Sequence, residues 1–524
     1  MSGSSARLAG DTEEVSQGFG LLVLVLAGYL GVHLLLRLAL SPSLIPDEAE
    51  TALFSQSLAW GYSEQPPLYS WLVWGLVRLL GLSVFTLTLA RMLVLAAVPV
   101  ALYATARTMI RDRRRVLLCV SSLFLFPSFT WNAVNYLTHS LLLCAVSLAT
   151  VCCILQLPQR RDCRSYALLG LWLGLGMLSK YNFVVFATAL FLAGLSCRPY
   201  RAGLLDRRLL LTGVIAGLLV LPHLLWALEH SPELCRPLMV KTGLGQTGGA
   251  VGIIKGLSNL LLSNGVLLVL PFVAGVAFLL HADPRRALQR TPLCPDACRL
   301  LERFFLAALL LLTLQVFAGT TRFQDRWLQP FLLLVPVYVF ARLEGLALES
   351  RRVRHYCAVL GILALLLTAT QAGRIWLGNR DDGVYPMRMS FAECAVRLSA
   401  EGFDDATVLT SDRVLAGNLH LQFPGTRVHC VRQRSYHPPV VDDGRACFAV
   451  WHGNLGDAYP AEFAAYAGET LPRPLVPEGP VRLVAVPALH PDRTTNLFRY
   501  VRLVPASGDG TTASPARSAR LVVP

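Results

Sequence analysis

Charge is scarce in this chain of 524 residues: Asp, Glu, Lys and Arg make up 15% of it, against 54% hydrophobic residues. A soluble domain carries roughly 25% charged residues, so the shortage excludes a water-soluble globular fold and points to a polytopic membrane protein. Repeats of fixed period are lacking, which removes solenoid and propeller architectures. The chain has thirteen cysteines, but Cys294 and Cys298 lack the second ligand pair of a zinc site. Cys394, Cys430 and Cys447 fall in an outer region where a disulfide is allowed but no pairing is assignable. No small-residue cleavage pattern follows the first apolar stretch, which is also too long for a signal peptide, so no cleavable signal is expected.

What is present is a series of long apolar stretches. A backbone without water must satisfy its amides within its own helix, so stretches of about 17 to 25 apolar residues read as spans. About eleven are predicted: 19–40, 84–110, 116–133, 135–157, 166–180, 181–196, 209–229, 259–281, 304–320, 327–343 and 355–373. The pair 166–180 and 181–196 is short, and one helix broken near Ser179-Lys180 is the alternative. Pro66–Gly81 starts with two prolines and carries Arg78, Tyr69, Trp71 and Trp74, which fits an interfacial helix lying along the membrane.

The net charge of +14 would point to nucleic acid in a soluble protein. Here arginines crowd alternate loops, such as Arg111–Arg115 and Arg285–Arg303, while intervening loops have few. The positive-inside rule therefore places the N-terminus (1–18) in the cytoplasm and everything after Gly373 outside, with no nucleic-acid partner. After the last span, "ATVLTSD", "TRVHCV", "ACFAVWH", "VRLVAVP" and "FRYVRLV" are strand-like and separated by helical pieces. They predict a small extracytoplasmic α/β domain over 374–505, followed by a disordered tail, 506–524.

"IPDEAETALF", after the first span, gathers Asp47, Glu48 and Glu50. One carboxylate at mid-membrane costs about 2.5 to 3.5 kcal/mol, so three must sit at the water interface. Acids in the first turn of a helix begun by Pro46 also complement its dipole, and that capping role alone is one reading. The other reading comes from ionisable residues at the same outer level: Lys180 in "GLGMLSKYN", Arg322, Asp325 and Arg326 in "TTRFQDRWLQP", and His139 in "NYLTHSLLL". Snorkelling and helix packing are the plain alternatives for these. Together they combine a carboxylate able to act as general base with cations able to hold a lipid-linked phosphate.

"PDEAETALFSQSLAWGYSEQPPLYSWL" resembles the first outer loop of the membrane glycosyltransferases that use polyprenyl-phosphate sugars, a group that includes protein O-mannosyltransferases and the lipid A aminoarabinose transferase. "GLGMLSKYN" and "RFQDRWLQP" are similar to its later signatures, and "TVLTSDRVLAGNL" to the appended domain of some bacterial members. The resemblance implies a helical bundle in the bacterial inner membrane that transfers a sugar from a polyprenyl-phosphate donor to an envelope lipid, glycan or protein hydroxyl, with inversion. It makes Asp47 the catalytic carboxylate and Glu48 its structural or metal-contacting partner. Lys180, Arg322 and Arg326 become donor-phosphate ligands, and Glu50, Tyr69, His139 and Asp325 further candidates for substrate contact. His139 stands where members tend to carry an acid, so no obligatory metal is expected, with a divalent ion as the option left open. A lipid-linked sugar flippase and a non-catalytic scaffold are the alternatives; clustering of charge at one face and the absence of duplicated halves disfavour the first.

Overall fold

The structure, a computed structural model, describes residues 20, 23–126, 129, 138–263, 269, 272, 275–276, 292–346, 348–377, 389–439, 444–487, 495–506 and 520–521. The chain forms two compact units. One comprises Met1–His33, Glu64–Tyr69 and Arg91–Gln371; the other comprises Leu34–Ser63, Ser70–Ala90 and Ala372–Pro524.

Among the described residues six helices are long and apolar enough to cross a membrane: Val23–Leu40, Val84–Met109, Thr138–Gln156, Leu209–Glu229, Pro295–Phe317 and Ser350–Thr370. A seventh arises if Phe183–Ser196 and Arg198–Leu204, bent by 115°, are one span. The chain is an integral membrane protein. Six of the eleven predicted spans coincide with these helices. The predicted span 327–343 is instead two short helices, Asp325–Leu332 and Leu334–Arg342. Span 116–133 begins as Arg113–Ser121 and tightens into a 3-10 turn at Ser122–Leu125, and most of its remainder, like most of 259–281, lies outside the described residues. Within Pro66–Gly81 the helix is Leu68–Leu80; at 1.5 Å per residue its 13 residues reach only about 20 Å, short of a hydrocarbon core of about 30 Å. Arg78 lies over the Trp74 ring at 5.5 Å.

The first unit shows how these helices divide their faces. Leu210, Val214, Leu218, Leu221, Leu225 and Leu228 stand exposed along Leu209–Glu229, a stripe that water would oppose and lipid accepts. Elsewhere on this helix Cys163–Ser179 comes close at its glycines: a Cβ on Gly170 would lie 2.7 Å from the Thr212 carbonyl oxygen. Small residues allow this approach.

In the second unit a six-stranded sheet has the order β2-β1-β3-β5-β4-β6, where β1 is Thr407–Thr410, β2 Arg427–Cys430, β3 Cys447–His452, β4 Leu475–Pro487, β5 Thr495–Pro505 and β6 Arg520–Leu521. β1 is parallel to β2 and β3; β5 is antiparallel to β3 and β4. Alternation along β3 separates two cores. Phe448 and Val450 join helices Phe391–Ser399 and Arg413–Gln422 on one face, while Ala449 and Trp451 join Ala461–Thr470 on the other. Every strand-like run read from the sequence is found in this sheet. The cysteines Cys394, Cys430 and Cys447 are free thiols. The predicted tail 1–18 lies outside the described residues; of 506–524, only 506 and β6 are described.

Two histidines are buried in this sheet domain. His429 on β2 is fully enclosed, with Nδ1 3.3 Å from the Tyr466 hydroxyl, and burial, aided by His437 and Arg427, pushes its pKa down to about 3. Burial likewise lowers His420 to about 4. An unfolded histidine takes up its proton near pH 6.5, so between about pH 6.5 and 4 the unfolded state binds protons that the folded one refuses, and stability falls as pH falls. Hydrogen exchange of the β1 and β3 amides, corrected for intrinsic rate, is expected to show protection declining over that window. His420→Leu should reduce the slope by about one proton; an unchanged slope would mean that His420 titrates freely in the fold.

Candidate active site

The acid-bearing segment is a helix, Pro46–Phe54, with proline at its first position. Glu48 is 3% exposed and both of its oxygens accept from Arg37, Nε to Oε1 at 3.2 Å and Nη2 to Oε2 at 2.6 Å. Oε2 also accepts from the Ile45 amide at 3.2 Å, so Glu48 caps its own helix as expected. Arg37 completes its set on the carbonyls of Ser41 and Ser43, at 2.6 and 2.7 Å. A buried ion pair is tolerated when its other donors and acceptors are met in this way. Of the two roles expected for Glu48, this arrangement supports the structural one.

Successive helical residues point about 100° apart, so Asp47 faces away from Glu48 and shares a face with Glu50. Asp47 is half-buried. Glu50 pairs with Arg413 at 2.6 Å. Arg413 opens the helix Arg413–Gln422, which Asp412 caps by accepting from the Val414 and Leu415 amides. From this helix Asn418 receives the Leu44 amide at 2.7 Å and donates to the Leu44 carbonyl at 3.3 Å. A Cβ on Gly417 would lie 2.1 Å from the Ala49 carbonyl oxygen, closer than any real contact. Leu53, Phe54 and Tyr62 share a core with Ala416, Val428 and Tyr436. Within this unit the acid helix is therefore docked on the "TSDRVLAGNL" stretch.

The cationic candidates lie in the other unit, and several come together there. Lys180 sits in extended conformation between helices Cys163–Ser179 and Phe183–Ser196, which are two helices rather than one. It is 7% exposed and Nζ donates to Ser140 at 2.7 Å, so it does not snorkel to water. Beside Ser140, His139 packs its ring 5.4 Å from that of Tyr69; its buried Nδ1 has no hydrogen-bond partner among the described residues. Lys180 and Glu64 are both close enough to act on His139 electrostatically. Glu64 in turn pairs with Lys241.

The "RFQDRW" segment belongs to the same network. The Thr321 and Arg322 amides donate to the Thr242 carbonyl at 3.0 Å, next to Lys241. Asn182 Nδ2 donates to the Trp327 carbonyl at 3.1 Å, joining the "SKYN" turn to it. Phe323 and Leu328 anchor the segment against Leu260 and Val316. Arg322 itself is exposed, Asp325 half-buried, and Arg326 Nε donates to Gln324 at 2.6 Å. Buried Gln329 has neither amide atom paired among the described residues. The glycine-rich stretch 241–256 is mostly helix: Ser231–Thr242 ends at Gly243 with φ 65°, and Gly249–Leu262 follows. A Cβ on Gly256 would meet the Thr320 carbonyl oxygen at 2.7 Å, so this glycine serves close packing.

Reading the sequence alone missed Arg37, Glu64, Ser140, Asn418 and Gln329. Arg37 carried a signal, an ionisable residue inside a predicted span; Glu64 carried one in its place just before "QPPLYS". Asn418 and Gln329 carried none. Among the described residues no group of three or more His, Cys, Asp or Glu side chains is placed to hold a metal ion.

The chain is similar to known proteins over most of its length. Residues 64–226 match the family described as dolichyl-phosphate-mannose-protein mannosyltransferase. The chain is 32% identical over 410 residues to the lipopolysaccharide core galacturonosyltransferase RgtA of Rhizobium johnstonii, covering 77% of this chain and 81% of that one. It is 29% identical over 445 residues to RgtB of the same organism, also named a lipopolysaccharide core galacturonosyltransferase, covering 84% and 88%. Its fold is similar to the crystal structure of ArnT from Cupriavidus metallidurans bound to undecaprenyl phosphate, with TM-score 0.58 at 15% identity, covering 92% and 97%. The chain belongs to the polyprenyl-phosphate-sugar-dependent membrane glycosyltransferases. It is an enzyme of that class, a glycosyltransferase, and the flippase and scaffold alternatives fall away.

Arg37→Met strands Glu48 as a buried, uncompensated charge and is expected to destabilise the unit by about 3 to 5 kcal/mol. The double variant Arg37→Met, Glu48→Leu should recover most of the loss, read as the thermal midpoint of purified protein in nanodiscs. A double variant no more stable than Arg37→Met alone would show that the two residues do not act as a pair.

Proposed function

We propose that this enzyme transfers a hexuronic acid residue from a polyprenyl-phosphate donor to a hydroxyl of lipopolysaccharide, at the outer face of the bacterial inner membrane. The observation that carries the reading is the grouping of Lys180, His139, Glu64 and Lys241: Lys180 and Glu64 act on His139 electrostatically, and Glu64 pairs with Lys241, whose neighbour Thr242 accepts the Arg322 amide. Buried or half-buried cations stabilise negative charge far better than exposed ones, and here charge builds on the departing phosphate. The relatives named as galacturonosyltransferases supply the sugar class and the acceptor class.

In the proposed reaction Asp47 takes the proton of the acceptor hydroxyl. The acceptor oxygen bonds to the anomeric carbon as the bond from that carbon to the phosphate oxygen breaks. The electron pair stays on polyprenyl phosphate, which Lys180, Arg322 and Arg326 hold, and a single displacement inverts the centre. Glu48 stays paired with Arg37, and Glu50, Tyr69 and Asp325 remain candidates for substrate contact. Lys and Arg supply the positive charge, so the reading needs no obligatory metal. In the bilayer the N-terminus is cytoplasmic and the sheet domain extracytoplasmic, as the arginine distribution favours.

The test uses purified protein in nanodiscs, a polyprenyl-phosphate galacturonate donor and lipopolysaccharide core acceptor. Asp47→Asn is expected to lower kcat by about 10²- to 10⁴-fold, and Lys180→Ala to weaken donor binding. Full transfer by a folded Asp47→Asn variant would sink the base assignment. Mass comparison of lipopolysaccharide from cells with and without the protein should show a hexuronic acid increment; a hexose, pentose or aminosugar increment would overturn the sugar class.

A further inference from the structure

The acid helix Pro46–Phe54 is fastened beyond each of its ends by a side-chain carboxamide. Before the helix, Asn418 Oδ1 accepts the Leu44 amide at 2.7 Å and Nδ2 donates to the Leu44 carbonyl at 3.3 Å. After it, Gln56 Nε2 donates to the Val428 carbonyl on β2 at 3.0 Å, and Oε1 accepts the Val428 amide at 2.9 Å. A carboxamide carries a donor and an acceptor in one plane, as a peptide unit does. Each one here pairs with both backbone groups of a single residue, a two-point contact that fixes direction as well as distance. Asn418 Nδ2 also donates to the Val414 carbonyl, one turn back on its own helix, at 2.9 Å. The rotamer that meets Leu44 is thereby locked. Asn418, Leu44 and Val428 are fully buried, so water does not compete for these bonds.

Between the two clamps, Gly417 lets the helix Arg413–Gln422 press against the Ala49 backbone. A nine-residue helix, about 13 Å long, can roll or swing when tied at one end. Tied at both ends and pressed at its middle, it keeps one axis and one rotation. Asp47 rides on this helix, three residues from Leu44. A general base works only within hydrogen-bond reach of the proton it takes, and a misplacement of about 1 Å can cost about 10²-fold in rate. We propose that Asn418 and Gln56 are positioning residues for Asp47, through which the sheet domain sets the rate of sugar transfer. The inference rests on the reading of Asp47 as the base.

The test is a double-mutant cycle on the full chain in nanodiscs, with polyprenyl-phosphate galacturonate and lipopolysaccharide core as substrates. Asn418→Ala should lower kcat about 10- to 100-fold and leave donor KM within about twofold. In the Asp47→Asn background the same substitution should change kcat less than about threefold, because a base already lost cannot be misplaced. A merely structural role would lower kcat by the same factor in both backgrounds. Gln56→Ala, at a half-buried position, opens the other clamp and carries the same expectation where Asn418→Ala does not fold. Equal losses in the two backgrounds, a loss expressed only as raised donor KM, or unchanged kcat in a folded variant would each overturn the proposal. Full transfer by Asp47→Asn alone would remove the base reading and the positioning role with it. That outcome is read from the single variant, so the two failures are told apart.

Discussion

A guanidinium and a carboxylate buried together, Arg37 with Glu48, are the constraint on which the acid segment depends. Removing either charge from water is expensive unless every donor and acceptor finds a partner. Here the requirement fixes the path of the chain. Arg37 lies in the last turns of the helix Val23–Leu40, and its remaining donors reach the carbonyls of Ser41 and Ser43 just beyond that helix. Glu48 lies at the third position of the next helix and accepts the Ile45 amide. Two helices and the bend between them are thus locked by one pair of side chains. Directional bonding of this kind gives register, which an apolar contact would not.

Once Glu48 is turned inward, helical geometry assigns the other two acids to different faces. Asp47 and Glu50 share one face, and Glu50 is held by Arg413. The sheet domain is therefore structurally part of the acid segment and not an independent module. Asn418 makes this plain: its amide replaces a backbone partner for Leu44, donating to the carbonyl and accepting from the amide. Gly417 permits the approach, because any side chain there would collide with the Ala49 carbonyl.

Much of this architecture was legible in the sequence, for identifiable reasons. Span and strand periodicities are local, so the apolar stretches near 84–110, 135–157 and 209–229 and all five strand-like runs appear where they were read. "SKYN" and "RFQDRW" were expected to share a level and are joined by the Asn182 amide. What was not legible is pairing across long separations. Nothing near Leu44 announces Asn418, 374 positions later, and nothing in "EQPPLY" announces that Glu64 meets Lys241. In 241–256 glycine has two uses, freedom of φ and closeness of approach. Gly243 shows the first, and Gly256 the second.

Lys180 illustrates how one local break places a charge at depth. A lysine within a continuous helix would have to extend along lipid towards water. Ending one helix at Ser179 and starting the next at Phe183 leaves Lys180 in extended backbone instead. Its side chain then turns inward to Ser140, on a neighbouring helix. The Lys180 amide still bonds the Gly176 carbonyl, and Phe183 donates to the Lys180 carbonyl, so the break leaves both backbone groups of Lys180 satisfied away from water. The short turn Lys180-Tyr181-Asn182 thus delivers a cation to the network and, through Asn182, ties that network to Trp327.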